Sequence, residues 1–269
     1  MSGSLAERHI GQLDIGRLRG VFLRIDSLIA NVPDIQVALR EFASRIGLRP
    51  FLRFDLAEPQ TLVPVAILNV GTISLELLGY LEGERPQSGV LSSVEIDAPI
   101  HEEMTFSPAP EMNIVCHPAK TPRVRSVEIV SHKPFEDERA LLEQLGATRT
   151  ETKGRVKLGS VEVRLVAADI VPSQQLPSLH FRGWHRVSVG VPSVTIVHRQ
   201  LMDSGFRALQ NPFQVTPGLS ESMVTLPSGV ILQLTEQELW KMIPVLAVEW
   251  MKSRLFGRSM RFEIKPISR

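Results

Sequence analysis

The chain has one cysteine, Cys116, so no internal disulfide framework and no multi-cysteine zinc site can be built from it. Charge of either sign is not in excess: 30 Lys and Arg face 29 Asp and Glu, a formal net charge of +1. No basic stripe interleaved with aromatics occurs, and aromatics make up only 6% of residues. Together these exclude a nucleic-acid binder that works by phosphate neutralisation. No apolar run reaches the eighteen or more residues that would span a bilayer, so no membrane association is expected. The first twenty residues contain no apolar core of a secretory signal, and the expected location is cytoplasmic. There is no phosphate-cradling glycine loop, no nucleophile elbow and no paired-carboxylate motif.

What the sequence does have is 43% hydrophobic residues, enough to fill a core, arranged in a repeat. Residues 24–48 (RIDSLIANVPDIQVALREFASRIGL), 124–148 (VRSVEIVSHKPFEDERALLEQLGAT) and 183–207 (GWHRVSVGVPSVTIVHRQLMDSGFR) overlay without gaps. Each reads as a strand, a proline-bearing turn (Pro33, Pro134, Pro192), an amphipathic helix and a closing glycine. Ser27 to Gly47, Ser126 to Gly146 and His185 to Gly205 each span 20 residues. A glycine turn into an alternating strand then follows in each copy: Gly71 before Glu76-Leu77, Gly159 before Arg164-Leu165, and Gly229 before Gln233-Leu234. Gly47 to Gly71 and Gly205 to Gly229 are both 24 residues, whereas Gly146 to Gly159 is 13, so the middle copy is shortened.

The expected architecture is therefore α+β: repeated βαβββ units forming cupped mixed sheets with helices on the outer face. Residues 1–82 hold the first unit and an N-terminal extension. Residues 83–123 form a proline-rich connector that has room for a strand near Met112 to Cys116. Residues 124–236 hold the second and third units, and 237–269 a helix broken or kinked at Pro244 with a short last strand. The short stretch between units two and three makes them plausible neighbours; pairing of the full-length units one and three is the other arrangement. An odd number of units leaves one sheet unpaired, which favours a homodimer or a cover from the C-terminal helix.

The phrases IDSLIANVPDIQVALREFASRIGL with VGTISLELL, and GWHRVSVGVPSV with LPSGVILQL, resemble the vicinal oxygen chelate superfamily, which includes glyoxalase I, extradiol dioxygenases and bleomycin-resistance proteins. The resemblance implies that paired units curl into a cup. It also implies a divalent metal held there by a histidine on a first strand and a glutamate on a last strand. By frame, the first-strand positions are Ser27, Ser126 and His185, and the last-strand positions are Glu76, Arg164 and Gln233. No unit keeps both ligand types, and Arg164 puts a fixed cation where a carboxylate belongs. Each residue has a plainer reading too: a structural histidine, an ion-paired glutamate, a surface arginine.

Three functional readings follow. The leading one is a degenerate metal site, with no cofactor, whose cup binds a small anionic organic ligand through Arg164, Gln233, Ser126 and Ser27, with His185 as the candidate catalytic group. The second is an enzyme of glyoxalase, epimerase or dioxygenase type that holds Fe, Mn, Ni or Zn with His185, Glu76 and a third ligand such as His180. The third is a non-catalytic protein-interaction subunit.

Overall fold

The computed structural model describes residues 23–57, 62–80, 90–168, 182–256, 260–263 and 265–266. The first unit is β1 (Arg24–Val32), α1 (Ile35–Ile46), β2 (Pro50–Ala57), β3 (Leu62–Val70) and β4 (Ile73–Gly79). Asp34 starts α1 by accepting hydrogen bonds from the backbone N–H of Gln36 and Val37 at 2.8 and 3.0 Å. Gly47, at φ 71°, ends it in the left-handed conformation expected of a closing glycine. Alternation along β1 and β4 sends Leu28, Ala30, Val32, Leu75 and Leu77 to the helix side, where Ala38, Leu39, Phe42 and Ile46 of α1 join them in one core.

Unit two comprises β8 (Arg123–Ser131), α2 (Pro134–Gln144), β9 (Thr148–Arg149), β10 (Arg155–Leu158) and β11 (Val161–Ala167). Unit three comprises β12 (Gly183–Gly190), α3 (Val194–Asp203), β13 (Arg207–Thr216), β14 (Leu219–Thr225) and β15 (Ile231–Gln237). Within every unit the first and last strands lie side by side and parallel: β1 with β4, β8 with β11, β12 with β15.

The pairing between units departs from the neighbour argument. Units one and three form one sheet through the antiparallel contact of β1 with β12, and unit two lies in a second sheet. The partner of unit two comes from the stretch read as a connector, which carries β5 (Val90–Ala98), β6 (Met104–Phe106) and β7 (Ile114–Pro118). Strand β5 pairs antiparallel with β8, as β1 does with β12, and parallel with β7, as a first strand does with its last. Residues 90–118 are thus a fourth unit that has lost its helix and one strand. Each cup is completed within one chain, so the odd unit count that favoured a homodimer does not arise.

The helix-bearing faces of the two sheets share one apolar core. Phe42 of α1 meets Phe106 of β6 edge-to-face, with ring centroids 5.8 Å apart and planes at 83°. Asp137 in the first turn of α2 is fully buried and accepts hydrogen bonds from Ser131 Oγ (2.8 Å) and from the backbone N–H of Ser228, in the turn before β15 (3.0 Å). That carboxylate ties unit two to unit three. Asp137→Ala strands the buried Ser228 N–H and is expected to cost about 2–4 kcal/mol of stability in a denaturant titration.

After β15 comes α4 (Leu239–Phe256), which runs through Pro244 without a break. The final segment gives β16 (Arg261–Glu263), parallel to β2, and β17 (Lys265–Pro266), antiparallel to β13. These are the two edges of the ten-stranded sheet, so one short stretch of chain pairs with both and covers them. Among the described residues, no helix is long and apolar enough to cross a membrane.

Candidate functional site

The concave face of the first sheet is read from alternation. On β1, Ser27, Ile29 and Asn31 oppose the core residues Leu28, Ala30 and Val32. On β4, Ser74, Glu76 and Leu78 oppose Ile73, Leu75 and Leu77. On β15, Ile231, Gln233 and Thr235 oppose Leu232 and Leu234, and on β14, Glu221, Met223 and Thr225 oppose Val224. Strand register then places these side chains in rows. One row runs Ile67, Glu76, Ile29, Arg186, Ile231; the next runs Asn69, Ser74, Ser27, Ser188, Gln233, Met223.

This register corrects the frame that singled out His185. Counted from the helix start, Ser27 precedes its N-cap Asp34 by seven residues, and Arg186 precedes its N-cap Ser193 by seven. Helix α3 has 10 residues against 12 in α1, so counting back from the closing glycine lands one residue early. The pairing agrees: Ser27 faces Ser74 on β4, two residues before Glu76, and Arg186 faces Ile231 on β15, two residues before Gln233. The four positions equivalent to the expected ligand set are therefore Ser27, Glu76, Arg186 and Gln233.

His185 occupies an irregularity on β12, where the pairing with β1 slips between Ile29 and Ala30. It is buried, and its Nε2 lies 3.0 Å from Asn31 Oδ1 across the seam. The matching slip on β1, between Ile25 and Ser27, involves Asp26, whose carboxylate sits over Gly190 in the space a Cβ would need. Asp26 accepts from Arg24 Nε at 3.0 Å.

Arg164 and Ser126 lie on the second sheet, apart from His185 and Gln233, so the grouping of those four residues does not form. Arg164 donates both Nη groups to Glu95 and its Nε to Glu162 Oε1 at 2.7 Å. Its fork is spent on these carboxylates. The Arg164 hydrogen bond in turn holds the Glu162 carboxyl below its ordinary range. Ser126 is buried between Glu95 and Glu162 in the strand register. His117 bridges the same cluster, 3.5 Å from Glu95 and 3.0 Å from Glu103. This second concave face is filled by ion pairs.

The first cup is different. Its walls carry Phe54, Leu56, Ile67 and Tyr80 on one side and Leu209 and Val215 on the other, each only partly buried, around the buried Val65, Leu78, Phe213 and Met223. Its floor carries two carboxyls and one guanidinium. Burial pushes Glu221 up to about 8; nearby Glu76 pushes it the same way, and Arg186 opposes both. Burial also raises Glu76, against the hydrogen bond from Ser27 and the attraction of Arg186. Arg186 is 8% exposed and places Nη1 3.8 Å from Met223 Sδ. Gln233 is 2% exposed, and its side-chain oxygen has no hydrogen-bond partner among the described residues.

Sequence reasoning missed Arg186, Glu221 and Asp26. Arg186 could have been found by counting from the helix N-cap instead of its closing glycine. Glu221 had only strand alternation to mark it.

The donor set for a divalent ion can be judged from these residues. Of the four equivalent positions, Glu76 alone is an anionic ligand, Ser27 and Gln233 are weak donors, and Arg186 is a permanent cation. These side chains do not suit a divalent metal. Among the described residues no group of three or more His, Cys, Asp or Glu side chains could hold one. His180, the suggested third ligand, lies outside the described residues.

No protein-family model matches the chain, and no curated protein matches it in sequence. Solved structures do match in shape. A candidate dioxygenase from Bacillus subtilis subsp. subtilis str. 168 is 10% identical, covering 79% of this chain and 84% of its own, with a TM-score of 0.60. Glyoxalase I from Zea mays is 12% identical, covering 84% of this chain and 96% of its own, with a TM-score of 0.56. Its V278E variant covers 86% and 98% at 12% identity, with a TM-score of 0.60. At these identities the likeness is one of fold: the chain has the vicinal oxygen chelate fold.

Proposed function

We propose that this vicinal-oxygen-chelate-fold chain uses the cup between units one and three to bind a small organic molecule without a divalent metal. The observation that carries the reading is Arg186 at a position where the fold's metal sites need a ligand, in the same cross-strand row as Glu76 with Ile29 between them. A guanidinium there supplies a fixed positive charge and directional donors, which is what the cup would otherwise gain from an ion. Glu221, holding its proton near neutral pH, is a donor, and Gln233 offers an acceptor to whatever enters.

The partly open apolar walls favour a small ligand over a sealed cup that serves only protein contacts. The anionic ligand expected from Arg164 loses its cation to Glu95 and Glu162. Metal-dependent chemistry through His185 and Glu76 would need a third strong ligand beside a competing guanidinium. His185 is better accounted for as the partner of Asn31 at the seam.

Elemental analysis of protein purified without chelators is expected to find Fe, Mn, Ni and Zn all below stoichiometry. EDTA is expected to leave the melting temperature unchanged. A stoichiometric ion that is lost on Glu76→Ala or His185→Ala would overturn the reading.

A further inference from the structure

We infer that the exposed face of α4 is a contact between two copies of this chain, made by antiparallel packing of the helix against itself. Only four of its 18 residues, LWKMIPVLAVEWMKSRLF, are charged. A helix this apolar around its circumference is ordinarily covered on all sides. Its start meets the body at Gly218, whose carbonyl accepts from the Glu238 backbone N–H at 2.7 Å, with Lys241 and Met242 packed beside it. Another side carries Trp240, Ile243, Pro244, Ala247, Val248 and Met251, all exposed. Steps of three and four residues put these six in one stripe. Trp240 is 71% exposed and Ile243 63%, so the stripe is not the rim of a core.

A second copy fits this stripe by area, symmetry and shape. The six residues present about 400–500 Å² of apolar surface, in the upper range of what a monomer leaves open. Two copies together would remove about 1,000 Å² from water, where specific interfaces begin. Let two copies of α4 run antiparallel about a two-fold axis between Val245 and Leu246. Trp240 then falls opposite Met251, Ile243 opposite Val248, and Pro244 opposite Ala247. Every contact occurs twice, as an isologous interface requires. The small residues meet at the centre, where they let the helices approach, and each indole meets a flexible methionine at the ends. Lys241 Nζ lies 5.0 Å from the Trp240 ring centroid and 2.5 Å from the Glu238 carboxylate, which holds the indole in place and supplies a polar rim. An 18-residue helix is about 27 Å long, so antiparallel packing keeps the two Gly218 turns at opposite ends.

The test is sedimentation velocity on the full chain, independent of what the cup binds, at concentrations from about 1 to 300 µM. The native chain is expected to dimerise with a dissociation constant on the order of 10 µM. Ile243→Lys and Val248→Glu each bury an unpaired charge in the contact and are expected to weaken it at least about 30-fold. Both positions are exposed in the single chain, so the melting temperature at low concentration should not change. An equimolar mixture of the two variants is expected to dimerise again, because the introduced charges face each other only in this antiparallel register. A native chain monomeric throughout, a dimer indifferent to either variant, or a mixture that stays monomeric would overturn the inference. So would a monomer that binds phosphatidylcholine vesicles through the same stripe.

Discussion

Replacing Arg186 with methionine is expected to destabilise the protein by about 3–5 kcal/mol, the usual cost of removing a buried charge that its surroundings compensate. Methionine keeps the length of the side chain and its contact with Met223, so the loss reports charge rather than packing. Without the guanidinium, Glu76 and Glu221 remain as two carboxyls in one buried floor, each already raised by burial. Loss of the nearby cation raises both further. Adding Glu76→Gln to Arg186→Met is expected to recover much of the loss, because the orphaned carboxyl is gone. Urea titrations of the two single variants and the double variant form a cycle that measures the coupling directly. If the two single losses sum to that of the double variant, Arg186 and Glu76 do not act together.

Stability is also expected to fall as pH rises, through Glu221. Its folded carboxyl keeps a proton up to about 8, whereas the unfolded chain releases it near 4.5. Between those values the folded state binds more protons than the unfolded one, so each step up in pH favours unfolding. The contribution is fully present below about 4.5 and lost as pH passes 8. The interval from 4.5 to about 8 corresponds to at most about 5 kcal/mol, and partial exposure of the side chain reduces it. Glu221→Gln keeps the shape and removes the titration, so its stability should decline less between pH 5 and 9 and exceed the native value at the alkaline end. A native curve that is flat across this interval would contradict the assignment.

These expectations rest on residues of which only part was legible in the sequence. The three βαβββ units were visible because each keeps a helical period and a closing glycine, both encoded locally in Ile35, Ala38, Phe42 and Ile46 and in Gly47. Residues 90–118 were not recognised as a unit because the missing helix removes the one long periodic signal. The strand expected at Met112 to Cys116 did exist, as β7 (Ile114–Pro118), but its role as a last strand is fixed by pairing with β5. Which units share a sheet is likewise a tertiary choice. The short link from unit two to unit three implied neighbours, yet the β1–β12 and β5–β8 seams are made between strands far apart or ordered differently along the chain.

At the site, Glu76 and Gln233 were singled out by the repeat frame, and the strand register puts them on one face with Ser27. The first-strand position of unit three slipped by one residue because α3 is shorter than α1. A single-residue error on a strand exchanges faces in a regular ladder. Here the irregularity at His185 masks it, since both His185 and Arg186 are buried at the seam. Arg164 was recognised as a cation in a ligand position. Its neutralisation was not foreseeable, because Glu95 reaches it from a strand in the unrecognised unit.

The central claim is that Arg186 takes the place of a metal in the first cup. It is tested most directly by anomalous diffraction from crystals grown with Mn, Fe, Ni or Zn. The account predicts no anomalous peak among Ser27, Glu76, Arg186 and Gln233. An anomalous peak coordinated by Glu76, with Arg186 swung aside, would contradict it.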